Sequence, residues 1–287
     1  MKTILFLSLI LGINQSLHSG DDTGMIRVMT YNIRVAVDEG INSWDNRKEL
    51  VASIIKTYKA DIVGLQEALK TQLDDLTTLL PDFAWVGVGR DDGVEGGEYS
   101  AILYNKKRFE VLEDSTFWLS ETPDKPSVGW DAALMRVVTW AKLKDKITGK
   151  IFYHFNTHFD YKGVMARLES ANLLNDVVAE TVGKTPAIVT GDFNFKSDFG
   201  GYKILTGGRK NYLFDTQKIA KVDSSGSNIT YNRFGQFLEE GNKIDYIFIK
   251  NNIEVDKHKI IMDTFDGNYP SDHMPVLAVI RIKDDLK

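Results

Sequence analysis

Apolar residues in this chain come in short runs, and run after run stops at an amide, a carboxylate or an imidazole. Ile26 to Tyr31 alternates as a half-buried strand does and meets Asn32; Ile62 to Leu65 meets Gln66 and Glu67. The stretch 151–158 closes on Asn156-Thr157-His158, and Pro186 to Thr190 runs into Gly191-Asp192-Phe193-Asn194. Asp245 opens a further run, and Ser271-Asp272-His273 precedes the last. Runs this short are strands, not buried helices. Further strands are expected at 84–89, 99–104, 109–113, 134–144, 229–231, 244–249, 253–262 and 276–282. Helical spacing is confined to a few segments. Leu50, Val51, Ile54, Ile55 and Tyr58 mark one, capped by Asp45 or Asn46; Leu73, Leu76, Leu79 and Leu80 mark a second, closed by Pro81. Leu168, Ala171, Leu174, Val178 and Val182 mark a third. Many strands in succession with helices inserted singly predict two packed sheets flanked by helices.

The first residues follow another rule. Met1-Lys2, an apolar stretch to Ile13 and a polar, small-residue exit at Ser19-Gly20 read as a secretory signal peptide over residues 1–19. The stretch is too short to span a bilayer, which takes about 20 residues, so no stable membrane anchor is expected. With no cysteine in the chain, disulfides, thiolate metal sites and cysteine nucleophiles are excluded. An exported chain without cysteine fits a secreted or periplasmic bacterial protein. From about 25 to 283 no linker, repeat or charge block interrupts the pattern, which reads as a single domain, expected to be a monomer. Lysine and arginine number 35 against 40 acids, a net charge of −5. Such a surface is not built to coat nucleic acid, which needs many basic contacts to phosphates. A phosphorylated substrate has to be met locally.

A single Asp or Asn after a strand is ordinarily a turn residue. Six polar pieces at strand ends in one chain are another matter. Carboxylate and amide oxygens without thiolates suit a hard cation such as Mg²⁺, Mn²⁺ or Ca²⁺, with Mg²⁺ or Mn²⁺ the expected cofactor. Phosphoester hydrolysis needs what such a set supplies: an activated water and neutralisation of the charge growing on the phosphoryl oxygens.

Taken in order, Thr30-Tyr-Asn32-Ile-Arg34, Leu65-Gln-Glu67, Asn156-Thr-His158, Gly191-Asp192-Phe-Asn194, Lys243-Ile-Asp245-Tyr and Ser271-Asp272-His273-Met-Pro275 resemble the motifs of the endonuclease/exonuclease/phosphatase superfamily. The resemblance covers about 25–283 and implies a four-layer α/β sandwich: two mixed β-sheets packed face to face with flanking helices. It implies Glu67 as principal metal ligand, supported by Asn32 and Asp272. Asp192 and Asn194 would orient the attacking water. His273 would act beside Asp245, and His158 would serve the phosphate or leaving group, paired with Glu98. Arg34 is as in deoxyribonuclease I and unlike the apurinic endonucleases. Other stretches, among them Asn42-Ser-Trp44 with Arg47-Lys48 and Gly129-Trp130-Asp131, resemble secreted bacterial members near the deadenylase/nocturnin branch. Arg34, Arg90, Arg136 and Arg167 are candidates to grip a second phosphate, and Trp130 or Tyr161 to stack on a base. Lys106-Lys107-Arg108 and Arg209-Lys210 read as solvated turns. The expectation is an exported, metal-dependent phosphodiesterase or nuclease acting on nucleic acid, single strands or nucleotides. The alternatives are a phosphatase or phosphodiesterase acting on lipid headgroups or small phosphorylated molecules, and a catalytically silent binding module.

Overall fold

A computed structural model describes residues 24–207 and 212–284; the expected signal peptide over residues 1–19 and Arg209-Lys210 lie outside the described residues. The chain begins with β1 (Met25–Asn32), a 3₁₀ turn (Gly40–Asn42), α1 (Trp44–Thr57), β2 (Ile62–Gln66), α2 (Lys70–Leu79), β3 (Phe83–Val86) and β4 (Ile102–Asn105). Then come β5 (Phe109–Trp118), β6 (Val137–Asp145), β7 (Ile151–His158), α3 (Val164–Val182), β8 (Ala187–Asp192), α4 (Gly200–Gly207), β9 (Phe214–Asp215) and α5 (Thr216–Ile219). β10 (Val222–Asp223), β11 (Asp245–Lys250), β12 (Ile253–Ile260) and β13 (Val276–Ile282) complete it. One sheet has seven strands in the order β10-β12-β13-β1-β2-β4-β3, the other six in the order β5-β6-β7-β8-β11-β9. Both are mixed: β1 runs parallel to β2 and antiparallel to β13, and β8 parallel to β7 and antiparallel to β11.

Strand periodicity sorts the side chains into three apolar layers. Ile26 and Val28 of β1, Ile62 of β2, Phe152 of β7, Ile188 of β8 and Ile247 of β11 fill the space between the sheets. Their strand neighbours face outward. Met29, Tyr31, Val63 and Leu65 meet Val51, Ile54 and Ile55 of α1 and Leu73 and Leu76 of α2. Phe155, Val189 and Phe248 meet Leu174 and Val178 of α3. Three layers between four tiers make the expected sandwich. Each fully buried Val, Leu, Ile or Phe contributes about 1.5–3 kcal/mol of transfer free energy.

The layer between the sheets changes character along the strands. Beyond the aliphatic end lie buried polar residues: Thr30, Gln66, His154, Asn156 and Thr190. Asn156 of β7 donates across the gap to the carbonyls of Leu65 (2.8 Å) and Ala101 (2.9 Å), and its Oδ1 accepts from Gln66 (2.7 Å) and Thr190 (2.9 Å). The sheets meet so closely here that a Cβ on Gly64 would lie 2.1 Å from Thr190 Oγ1 and 2.4 Å from Asn156 Oδ1.

Several boundaries differ from expectation. α1 begins at Trp44 after Ser43, so Asp45 and Asn46 lie inside its first turn. The segment 229–231 is no strand; Tyr231 makes only an isolated bridge to His273. β5 extends to Trp118, its middle exposed along the sheet edge. Arg108 is no solvated residue: it pairs with both oxygens of Asp145 (3.2 and 3.1 Å) and with Asp61 (3.1 Å), joining elements far apart in sequence. No helix among the described residues is long and apolar enough to cross a membrane.

Gly64→Ala is expected to destabilise by about 1–3 kcal/mol, the usual cost of overpacking. Chemical denaturation checks this; an unchanged midpoint would mean that the sheets can separate at this point without cost.

Candidate active site

The polar end of the inter-sheet layer opens into a cavity of about 420 Å³. Register brings its residues together. His158 ends β7 opposite Asp192, which ends β8, and Asp245 opens β11 opposite Asp192 from the other side. From the facing sheet Asn32 ends β1 level with Gln66, one residue before Glu67. Beyond the strands the chain turns sharply, and Arg34 (φ 59°), Glu67 (φ 61°) and Asn194 (φ 51°) adopt the left-handed conformation. For residues with a Cβ that conformation is uncommon and costs of order 1 kcal/mol or more, held by the surrounding contacts.

Asn32 is the junction between the sheets. Its fully buried amide donates to Glu67 Oε1 (3.0 Å) and Asp192 Oδ2 (3.0 Å), and lies 3.4 Å from His273 Nε2. Its Oδ1 accepts from the Arg34 amide (3.0 Å), and Glu67 Oε2 accepts from the Val35 amide (3.0 Å). The Arg34 guanidinium lies 2.8 Å from Asp38, 3.8 Å from Glu67 and 4.0 Å from Asp272.

His273 Nδ1 is 2.9 Å from Asp245 Oδ2, while its Nε2 is 3.7 Å from Asp192 Oδ2. Burial alone would depress the His273 imidazolium, but Asp245 and Asp192 outweigh it and push the group up to about 10. Asp192 is itself raised, first by burial and then by the nearby Asp245 carboxylate. Burial likewise raises Asp272. One ligand atom from each of Asp192, Asp245 and His273 lies within 4.8 Å of the others. Glu67 and Asp272 add carboxylate oxygens at the same cavity, whereas the expected ligand Asn32 turns its NH2 to the acids and its Oδ1 to the Arg34 amide. Buried acids that bind protons more tightly than they do in water are a setting in which a hard divalent cation fits.

On the opposite wall Asn194 Nδ2 donates to the Phe159 carbonyl (2.9 Å) and meets His158 Nε2 (3.0 Å). That orientation makes Nε2 of a neutral His158 the acceptor and places its proton on Nδ1. Burial, then Arg136 and Arg90, hold the His158 imidazolium well below its ordinary range. Arg136 is buried, lies 3.7 Å from Asp160, and keeps Nε and Nη1 without a hydrogen-bond partner.

Of the sequence-derived candidates, Arg34, Glu67, Glu98, Arg136, His158, Asp192, Asn194, Asp272 and His273 line the cavity. Asn32 and Asp245 stand directly behind them. Three expectations change. Glu98 does not pair with His158: both its oxygens are taken by Arg90 (2.7 and 3.0 Å), and His158 Nδ1 is unpartnered. Arg90 is thereby spent on Glu98, outside the cavity lining. Trp130 is also outside it, half-buried, its amide donating to Glu121 (3.1 Å). Arg167 donates to the Asp160 carbonyl (3.0 Å) and lies over the Phe199 ring, bracing α3. Tyr161 does reach the cavity, half-exposed. Tyr231, Leu134, Val35 and Ile244 also line it, the Tyr231 ring 4.9 Å from that of His273. No sequence pattern distinguished Tyr231, which stands in an irregular segment.

A sequence profile of the Endonuclease/Exonuclease/phosphatase family matches residues 29–273, and the chain belongs to that family. It is similar to an endonuclease/exonuclease/phosphatase from Bacteroides vulgatus: 41% identity, TM-score 0.85, covering 90% of this chain and 99% of that one. It is also similar to a mannosyl-6-phosphatase from Bacteroides thetaiotaomicron, with 36% identity, TM-score 0.83 and coverage of 89% and 99%. The catalytic domain of human nocturnin shares the fold at 22% identity and TM-score 0.72, over 91% of this chain and 94% of that one.

Asp192→Asn is expected to cut turnover by roughly 100- to 10,000-fold, the usual worth of a general base. Both Asp192 oxygens accept hydrogen bonds, from Asn32 and from the Asn194 amide, so the asparagine NH2 must face a donor and the melting temperature should fall, with the variant still folded. Wild-type turnover in a folded variant would remove Asp192 from the proton-accepting role.

Proposed function

We propose that this protein is a divalent-metal-dependent phosphoester hydrolase whose substrate is a compact phosphorylated molecule, with sugar phosphates the first class to test. The cavity carries this reading. At about 420 Å³ it is the size of a small-molecule site, and its polar groups converge at one end. The two arginines that line it, Arg34 and Arg136, each have an acid within 4 Å. Of the two residues expected to stack on a base, Trp130 is not in the lining. The likeness to a mannosyl-6-phosphatase at 36% identity supports the same substrate class.

A divalent cation held by Glu67 and Asp272, with Asp192 adjoining and Asn32 fixing Glu67 and Asp192 by hydrogen bonds, would neutralise charge on the phosphoryl oxygens. Asp192 accepts the proton of the attacking water. Asn194 orients that water. The His273 imidazolium, fixed by Asp245, faces the charge that develops. On the far side Arg136 lines the cavity and faces the phosphoryl oxygens, while His158 Nε2 accepts from Asn194 and holds that amide in place. Water is the direct nucleophile in this reading, so no covalent intermediate forms. The protein is read as exported, on its N-terminal segment.

A nucleotide or single-stranded substrate is the second reading, favoured by Tyr161, whose half-exposed ring lines the cavity with the Lys162 ammonium 5.3 Å from its centroid. Purified protein with Mg²⁺ or Mn²⁺ should release phosphate from hexose phosphates faster than it cleaves single-stranded RNA or DNA. Exhaustive chelation should abolish turnover, and added metal should restore it. Preferred cleavage of oligonucleotides, lost about 5- to 150-fold on Tyr161→Ala as stacking energies imply, would favour the second reading. Turnover that survives metal removal would overturn the metal-dependent mechanism.

A further inference from the structure

Arg47, in α1, is an arginine with 1% exposure whose guanidinium touches no carboxylate. It hydrogen-bonds to main-chain carbonyls instead. Nε donates to Asn42 (2.7 Å), Nη1 to Ile33 (2.7 Å) and Pro270 (3.0 Å), and Nη2 to Arg34 (3.2 Å). Its plane is held between Trp44 and Phe234, each with its ring centroid 5.5 Å away.

These partners belong to the segments that carry the proposed metal-binding groups. Ile33 and Arg34 directly follow Asn32, and the next amide, Val35, donates to Glu67. Pro270 stands two residues before Asp272 and three before His273. Phe234 lies in the segment that follows Tyr231. Ser271 ties the same two segments a second time, donating to the Asn32 carbonyl (2.7 Å). Fixing the backbone of a segment costs about 1–2 kcal/mol per residue, so a ligand set drawn from separate loops is pre-arranged only where something else holds those loops. A buried cation is expensive unless its donors find partners, and here four bonds go to loop carbonyls, of which that of Arg34 also accepts from Gln72 (3.0 Å).

We propose that Arg47 is a positioning residue for the metal site. It sets the spacing between the loop after Asn32, which anchors Glu67, and the Asp272-His273 loop, and its fixed positive charge sits behind the acids that would hold the cation. Lysine keeps the charge but cannot span four carbonyls, because the planar fork is lost.

The inference rests on the metal-dependent reading, and Mn²⁺ titration by calorimetry without substrate tests it. Arg47→Lys is compared with the wild type and with Ile249→Ala, a core truncation at the far end of β11 from Asp245. Arg47→Lys should weaken Mn²⁺ affinity about 10- to 100-fold, the scale seen when groups supporting metal ligands are lost. High Mn²⁺ should recover much of the lost turnover. Ile249→Ala should lower the melting temperature while leaving Mn²⁺ affinity within about twofold. If Arg47→Lys does not fold, Ser271→Ala, which cuts the second tie between the loops, should show the same weakened Mn²⁺ binding. Wild-type Mn²⁺ affinity in a folded Arg47→Lys, or in Ser271→Ala should that variant replace it, would overturn the positioning role. Absence of Mn²⁺ binding by the wild type would instead overturn the metal reading on which it depends.

Discussion

One carboxamide holds the two sheets in register with each other. Asn156 reaches from β7 to two carbonyls of the opposite sheet and accepts from Gln66 and Thr190. Apolar packing between sheets is non-directional and tolerates sliding; hydrogen bonds buried at low dielectric do not. The active site needs that fixity, because its parts are divided between the sheets. Asn32 and Glu67 come from one, and His158, Asp192 and Asp245 from the other. A slide of one sheet over the other by a single residue would carry these two halves of the site about 3.3 Å out of alignment. The polar band in the middle of the sandwich is thus the foundation of the cavity above it.

The cavity itself is an exercise in charge management. Acids from both sheets converge on a small volume, and they are kept tolerable in three ways. Asn32 donates to two of them, Arg34 lies near three, and His273 lies between Asp245 and Asp192. The raised proton affinity of Asp192 and Asp272 records the repulsion and burial that remain. Proteins commonly retain such local instability where activity requires it.

Much of this was legible from the chain alone, for a physical reason. A strand is a short local pattern, and the residue at its end is adjacent in sequence, so Asn32, His158, Asp192 and Asp245 could be read beside the apolar runs that carry them. Pairings made across the fold were not legible. Glu98 stands in a turn where its partner depends on how the loop closes, and the loop brings Arg90 to it rather than His158. Arg108 looked like part of a basic turn because Asp61 and Asp145 lie in other elements. Arg47 belonged to a recognisable motif, but its carbonyl partners leave no mark on composition or spacing. α4 escaped because Gly200 and Gly201 open it, and glycine ordinarily signals a loop. The two-residue strands β9 and β10 are too short to show a period.

The loop that contributes Leu134 to the cavity is also the cap of a helix. Asp131 accepts from the amides of Met165 and Ala166 in the first turn of α3, and Asp160 accepts from Ala133, Leu134, Lys162 and Gly163. The wall and the helix therefore open together or not at all. At about 1 kcal/mol for each capping side chain, swinging this loop aside would be a minority excursion of roughly one molecule in thirty. Ligand exchange on that side takes place past a nearly rigid wall, and the size of what enters is set by the fold and not by a moving gate.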